Sequence, residues 1–170
     1  MFLFSAGLGS NISSITGSNY KSSSSTSQVV IVESGYFINQ NWKIDANLES
    51  SFYGDYFKGG IGTLYHFVPF LYSVNIPSDS VQYAIRSEWS PYLGVEFSFA
   101  RIQMTLQRTD NFQSDAVIGG LAGPTLKGGI LYNIDSKLAI TFGLDVSYMF
   151  SPQVAGSGQK LKILASFVFP

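Results

Sequence analysis

Read at every second position, Trp42 to Tyr53 separates into two series. Trp42, Ile44, Ala46, Leu48 and Phe52 form an apolar one, broken by Ser50, while Lys43, Asp45, Asn47, Glu49, Ser51 and Tyr53 form a polar one. Successive side chains on a strand point to opposite faces, so this spacing predicts a strand with one greasy and one ionic face. A helix would scatter the same groups around its circumference. At about twelve residues the strand is long enough to cross a bilayer when tilted.

The same alternation recurs along the chain. Phe2 to Ser13 predicts a first strand, followed by a Ser/Thr/Gly-rich loop over 14–28. Val29 to Ile38 and Trp42 to Tyr53 form a hairpin about Asn39-Gln40-Asn41. A loop over 54–62 precedes a strand from Thr63 to Ile76, with Pro69 placed in a bulge because proline cannot donate to a ladder. Residues 77–90 read as a long turn or a strand extension. A fifth strand runs from Pro91 to Gln107, and its apolar parity changes after Phe99, which predicts a bulge near Ala100-Arg101. Loop 108–119 leads to strands over 120–133 and 138–150, joined at Asp135-Ser136-Lys137. Loop 151–159 leads to a last strand over 160–169. The expected fold is therefore all-β, an eight-stranded antiparallel up-and-down transmembrane β-barrel in one domain, 1–170.

Composition decides which way the barrel faces. Only 12% of the 170 residues are charged, about half the usual soluble value of roughly 25%. A soluble barrel would need a charged exterior that this chain cannot supply. Nine charges fall mid-strand on the polar parity: Glu33, Lys43, Asp45, Glu49, Glu96, Arg101, Lys127, Asp145 and Lys162. These five acids and four bases are expected to fill an eight-stranded lumen, which is just wide enough for side chains. Aromatic residues near strand ends, such as Tyr36, Trp42, Tyr132 and Phe150, fit interfacial girdles. Long loops 14–28, 54–62, 108–119 and 151–159 would face outward. Short turns near 40 and 135 would face the periplasm, with 77–90 a long exception.

A formal net charge of −1 gives no case for nucleic acid. With no cysteine, thiol chemistry and disulfides are excluded. Met1-Phe-Leu-Phe-Ser-Ala-Gly lacks a basic leader region, so the barrel reading expects a mature form with an added Met. His66, the single histidine, is the one candidate base for a Ser–His–carboxylate hydrolase, but no Ser motif surrounds it. Lys43, Asp45 and Glu49 share a strand face and suit either a paired-carboxylate site or lumen filling. Gly59-Gly60-Ile61-Gly62 lacks the lysine of a phosphate loop. No cofactor or metal is expected.

Pro91-Tyr92-Leu93-Gly94-Val95, Gly128-Gly129-Ile130-Leu131-Tyr132-Asn133-Ile134 and Lys137-Leu138-Ala139-Ile140 resemble the small bacterial outer-membrane barrel superfamily, which includes the OmpA transmembrane domain, OmpX, OmpW and opacity-type proteins. Leu161 to Phe169 is similar to that group's C-terminal assembly signal, with Pro170 as a departure. The resemblance implies an outer-membrane location, lipid as the standing partner, and a protein partner met through 14–28, 108–119 and 151–159. It leaves three roles open: a non-enzymatic surface anchor or subunit of a larger complex, a narrow channel for small or hydrophobic solutes, and a lipid-modifying enzyme using His66.

Overall fold

The computed structural model describes residues 1–17, 20–75, 82–107, 114–135, 137–152 and 154–169. Among these residues ten strands form: β1 (Phe2–Gly17), β2 (Tyr20–Phe37), β3 (Trp42–Ser51), β4 (Tyr56–His66), β5 (Leu71–Asn75), β6 (Gln82–Arg86), β7 (Trp89–Gln107), β8 (Ser114–Asn133), β9 (Leu138–Phe150) and β10 (Val154–Phe169). Eight of them close an antiparallel barrel in the order β1-β10-β9-β8-β7-β4-β3-β2. The seam pairs the two chain ends, from Phe2 opposite Phe169 to Gly17 opposite Val154. No strand edge is left along that seam, as a bilayer requires.

The predicted alternation holds on both faces. Leu8, Leu48, Phe97, Leu144 and Leu161 point outward and are exposed, while Ser5, Asp45, Glu96, Lys127 and Asp145 point inward and are buried. An outward belt of aliphatic residues lies between two aromatic rings. At the end carrying the chain termini, Phe2 meets Tyr36, Trp42 meets Tyr65, and Trp89 meets Tyr132, with ring centroids 4.4–5.1 Å apart. At the opposite, hairpin end stand Phe52, Phe57, Phe99, Tyr148 and Phe150, all exposed.

Several loop boundaries differ from the sequence expectation. Residues 14–17 and 20–28 are barrel wall, not mobile loop; Ser13 to Ile15 pair with Ser25 to Ser23. Likewise β4 begins at Tyr56 inside the expected loop 54–62, and 114–119 and 154–159 belong to β8 and β10. Over 14–17 and 21–28 the outward residues are Ser, Thr, Lys and Gln, so this part of the wall continues beyond the apolar belt. Once two ladders flank a segment, its backbone is satisfied whatever its side chains. Residues 18–19, 108–113 and 153 lie outside the described residues.

The strand expected from Thr63 to Ile76 divides. β4 stops at His66, Pro69 lies in the connection rather than in a bulge, and β5 pairs only with β6 in a separate two-stranded hairpin. Residues 76–81 lie outside the described residues. Nor is there a bulge at Ala100-Arg101. β7 runs in unbroken register against β4 and β8, from Tyr92 to Ile102 and from Trp89 to Gln107. The apparent change of phase is a change of surroundings, from lipid to water outside and from ionic to apolar within.

Glycines allow the wall to close tightly. A Cβ on Gly7 would lie 2.0 Å from the Ile163 carbonyl oxygen, and one on Gly129 2.2 Å from that of Phe142.

Candidate functional site

Every second residue of a barrel strand enters the lumen, so the site is set by parity. The inward series of β2, β3, β7, β8 and β9 bring Glu33, Lys43, Asp45, Glu49, Glu96, Lys127 and Asp145 together, all at most 5% exposed, and β10 adds Lys162. Two further lysines escaped the sequence reading. Lys58 on β4 and Lys160 on β10 are 1% and 3% exposed. Lys58 fell in the expected loop 54–62, whereas Lys160 opens the expected strand 160–169 and was not counted among its mid-strand charges. The signal that would have found them is parity counted back from Gly60 and Lys162.

Arg101 does not join them. It lies on the outward parity and is exposed. Above the charged layer the lumen turns apolar: Ile15, Tyr56, Ile102, Met104, Leu121, Met149 and Val154 fill the hairpin end. There the polar residue of each alternating pair faces out and the apolar one in, the reverse of the lipid-level rule. With Arg101 corrected, five carboxylates and five lysines face the lumen among the described residues, and their formal charges cancel.

Lys127 is the hub. Its Nζ lies 2.5 Å from Asp45 Oδ2, 2.9 Å from Glu96 Oε2 and 3.5 Å from Glu33 Oε1. Lys162 joins Glu33 at 2.5 Å and approaches Asp145 at 3.3 Å. Lys160 bridges Asp145 at 2.8 Å to Glu49, with which it makes a close contact. Lys58 reaches Glu96 at 3.3 Å and Glu49 at 3.8 Å. The chain of pairs thus runs from Glu33 through Lys127, Glu96, Lys58, Glu49, Lys160 and Asp145 to Lys162 and back to Glu33. It ties together β2, β3, β4, β7, β8, β9 and β10. Lys43 lies in the same layer, its stem against Gly35, where a Cβ would meet Lys43 Cδ at 2.8 Å.

Neutral hydrogen bonds fill the remaining space. Asn47 donates to Glu96 at 2.7 Å, Ser98 donates to Glu96 at 2.6 Å, and a Ser98–Thr125–Ser147 hydroxyl chain continues across β7, β8 and β9. A charge moved out of water is stabilised only when it is paired and hydrogen-bonded. This network supplies both conditions. The void bounded by Asn11, Ser13, Tyr56, Ser147 and Met149 is about 10 Å³, the space of a single water. A larger concavity of about 1140 Å³ lies on the outer wall, bordered by Leu126, Phe142, Leu161 and Ile163 around Gly128 and Ala165, rather than along the axis.

The terminal end is closed by a second apolar layer. Leu3, Phe37, Phe70, Leu131, Ala139 and Val168 pack together. Phe70, supplied by the β4–β7 connection, is fully buried and stacks on Phe37 at 4.7 Å. Its backbone N–H donates to the Gln40 carbonyl at 3.0 Å, fixing the connection across the mouth.

His66 belongs to this layer. It is fully buried, with Phe37 and Tyr92 ring centroids 5.1 and 5.5 Å away. Its Nδ1 lies 2.7 Å from Ser90 Oγ, so a Ser–His pair does exist. Ser90 Oγ, however, donates to the Val68 carbonyl at 2.8 Å, which leaves Nδ1–H as the donor in the His–Ser bond. A general base must accept the nucleophile's proton, and this arrangement points it elsewhere. Among the described residues Nε2 has no hydrogen-bond partner and no carboxylate orients the ring. Among the described residues no group of His, Asp and Glu has the arrangement of a metal site.

A closed eight-stranded antiparallel barrel with an apolar exterior, two aromatic rings and an ionic interior has the fold of a small transmembrane β-barrel. No protein-family model matches the chain, and no curated protein matches it in sequence. Solved structures do. The outer membrane protein OprG from Pseudomonas aeruginosa superposes with a TM-score of 0.61 at 10% identity, over 99% of this chain and 95% of that one. Neisserial surface protein A gives 0.56 at 15% identity, over 98% and 97%. The N-terminal barrel domain of Pseudomonas aeruginosa OprF gives 0.51 at 10%, over 93% and 96%. At such identities the likeness is one of fold.

Proposed function

We propose that the protein is a non-enzymatic outer-membrane anchor, a closed barrel whose hairpin rim meets a surface ligand or a partner protein. The observation that carries this reading is the neutral ion-pair network sealed between two apolar layers. A pore of ionic selectivity needs an unbalanced lining and an open axis. Here the charges cancel and both ends are filled. The wall that continues above the lipid belt through 14–17 and 20–28 of β1 and β2, 114–119 of β8 and 154–159 of β10 raises the rim clear of the membrane. Those stretches and the connections between them are the surface offered to a partner, within a larger assembly or outside the cell.

Two measurements test the reading. In planar bilayers the inserted protein is expected to be silent, whereas steady single-channel steps would favour the narrow-channel alternative. Shortening the hairpins over 14–28, 108–119 and 151–159 is expected to abolish surface or partner binding while leaving a heat-modifiable barrel. Full binding after all three are shortened would refute the anchor role. The hydrolase alternative is disfavoured by the direction of the Ser90 hydroxyl, and unchanged lipid profiles in His66→Ala cells are the expected result.

A further inference from the structure

Away from the strand tips, Arg101 is the one charge on the outer wall among the described barrel residues. We infer that it marks a binding site for the phosphate of an outer-leaflet lipid headgroup. The inference rests on the outer-membrane reading above.

The position is set by register. Along the outer face of β7, Phe97 and Phe99 precede Arg101, and Gln103 and Thr105 follow. Its cross-strand neighbours are Phe57 on β4 and Gly120 on β8. Arg101 therefore stands beside Phe57 and one outward step beyond Phe99, at the edge of the aromatic ring that ends the lipid belt, where hydrocarbon gives way to headgroups. An arginine deep in the hydrocarbon is strongly unfavourable, but near the interface the penalty largely vanishes and its stem rests on apolar neighbours.

Among the described residues Arg101 makes no hydrogen bond and no ion pair. The acidic neighbour along the wall, Asp55, accepts a close hydrogen bond from Ser51 Oγ, and its backbone carbonyl accepts from Gln103 N–H at 2.8 Å. On the other flank Gly120 leaves open space, since a Cβ there would meet nothing within 4 Å. A planar guanidinium with free donors, an aromatic floor and amide and hydroxyl groups above suits a phosphate bound in the fork geometry. The uncharged Gln103 and Thr105 suit the sugar of such a headgroup.

The test is native mass spectrometry of the folded full chain in detergent, incubated with diphosphorylated lipid A, its dephosphorylated form, or inorganic phosphate. Wild type is expected to retain the phosphorylated lipid preferentially. Arg101→Gln should lower that retention roughly tenfold, the scale of one charge-assisted contact, and Arg101→Lys should lower it less. A second variant, Gly120→Asp, places a carboxylate in the open space beside the guanidinium and should lower retention likewise. Binding of inorganic phosphate alone would show an anion site without lipid selectivity and refute the headgroup assignment. Equal retention by wild type and Arg101→Gln, or of the two lipids by wild type, would also overturn it. A barrel that is heat-modifiable yet blind to phosphate sinks this site only, whereas a wild type that never inserts into vesicles sinks the membrane reading itself.

Discussion

Replacing Lys127 with Met removes the hub of the lumen network while keeping most of its volume. At an effective dielectric of about 20, Coulomb's law gives roughly 5–7 kcal/mol for each contact at the observed 2.5–3.5 Å. Desolvation of a fully buried ammonium offsets most of that sum, so the net value of the hub is far smaller. The loss falls unevenly. Glu96 retains Lys58, Asn47 and Ser98, and Glu33 retains Lys162. Asp45 loses its Lys127 contact, and its Oδ1 already has no partner. An uncompensated buried carboxylate costs about 3–5 kcal/mol, a large part of a typical 5–15 kcal/mol stability. The double variant Lys127→Met with Asp45→Asn removes both charges and should recover at least half of that loss. The assay is equilibrium urea unfolding of the reconstituted barrel. Trp42 and Trp89 stand half-exposed in the terminal-end aromatic ring, so their fluorescence reports departure from lipid. A Lys127→Met penalty below about 1 kcal/mol, or strict additivity with Asp45→Asn, would refute the idea that paired charges hold the lumen shut.

Three other outcomes follow from the same structure. Gly7→Ala drives a Cβ into the Ile163 carbonyl across the β1–β10 seam and should cost about 3 kcal/mol or block closure; Gly120→Ala, in open space, should stay within about 0.5 kcal/mol by the same unfolding measurement. Phe97→Arg puts a charge on the lipid belt and should destabilise the inserted barrel by about 2–4 kcal/mol, while Gln103→Arg above the belt should be nearly neutral; equal effects in vesicles would mean the bilayer has been placed wrongly. His66→Ala should cost about 2 kcal/mol by emptying the space between Phe37 and Tyr92 and losing the Ser90 bond. Heat-modifiability should then persist at a lower temperature.

The alternation from Trp42 to Ser51 and from Leu138 to Phe150 was enough to predict both strands nearly to their ends. The parity of those stretches puts Asp45 and Asp145 on the buried side of the wall. That legibility has a physical source. The bilayer selects one parity for hydrocarbon, the narrow lumen leaves the other for polar groups, and a strand's period of two writes this choice directly into the sequence. Outside the bilayer the selection lapses. Ser22 to Gln28 form strand because β1 supplies a ladder, and no local pattern announces it. Lys58 enters the lumen from a glycine-rich stretch that reads as loop, since those glycines let β4 lie close to its neighbours. Arg101 keeps the parity of Phe97 and Phe99 but leaves the lipid, so the same geometry that buries Glu96 turns the guanidinium outward. The amino-acid order by itself determined the faces of the strands and the class of the barrel. Only tertiary closure decided how high the wall rises, which lysine meets which carboxylate, and that Phe70 seals the mouth, because each depends on residues distant in sequence meeting across the ring.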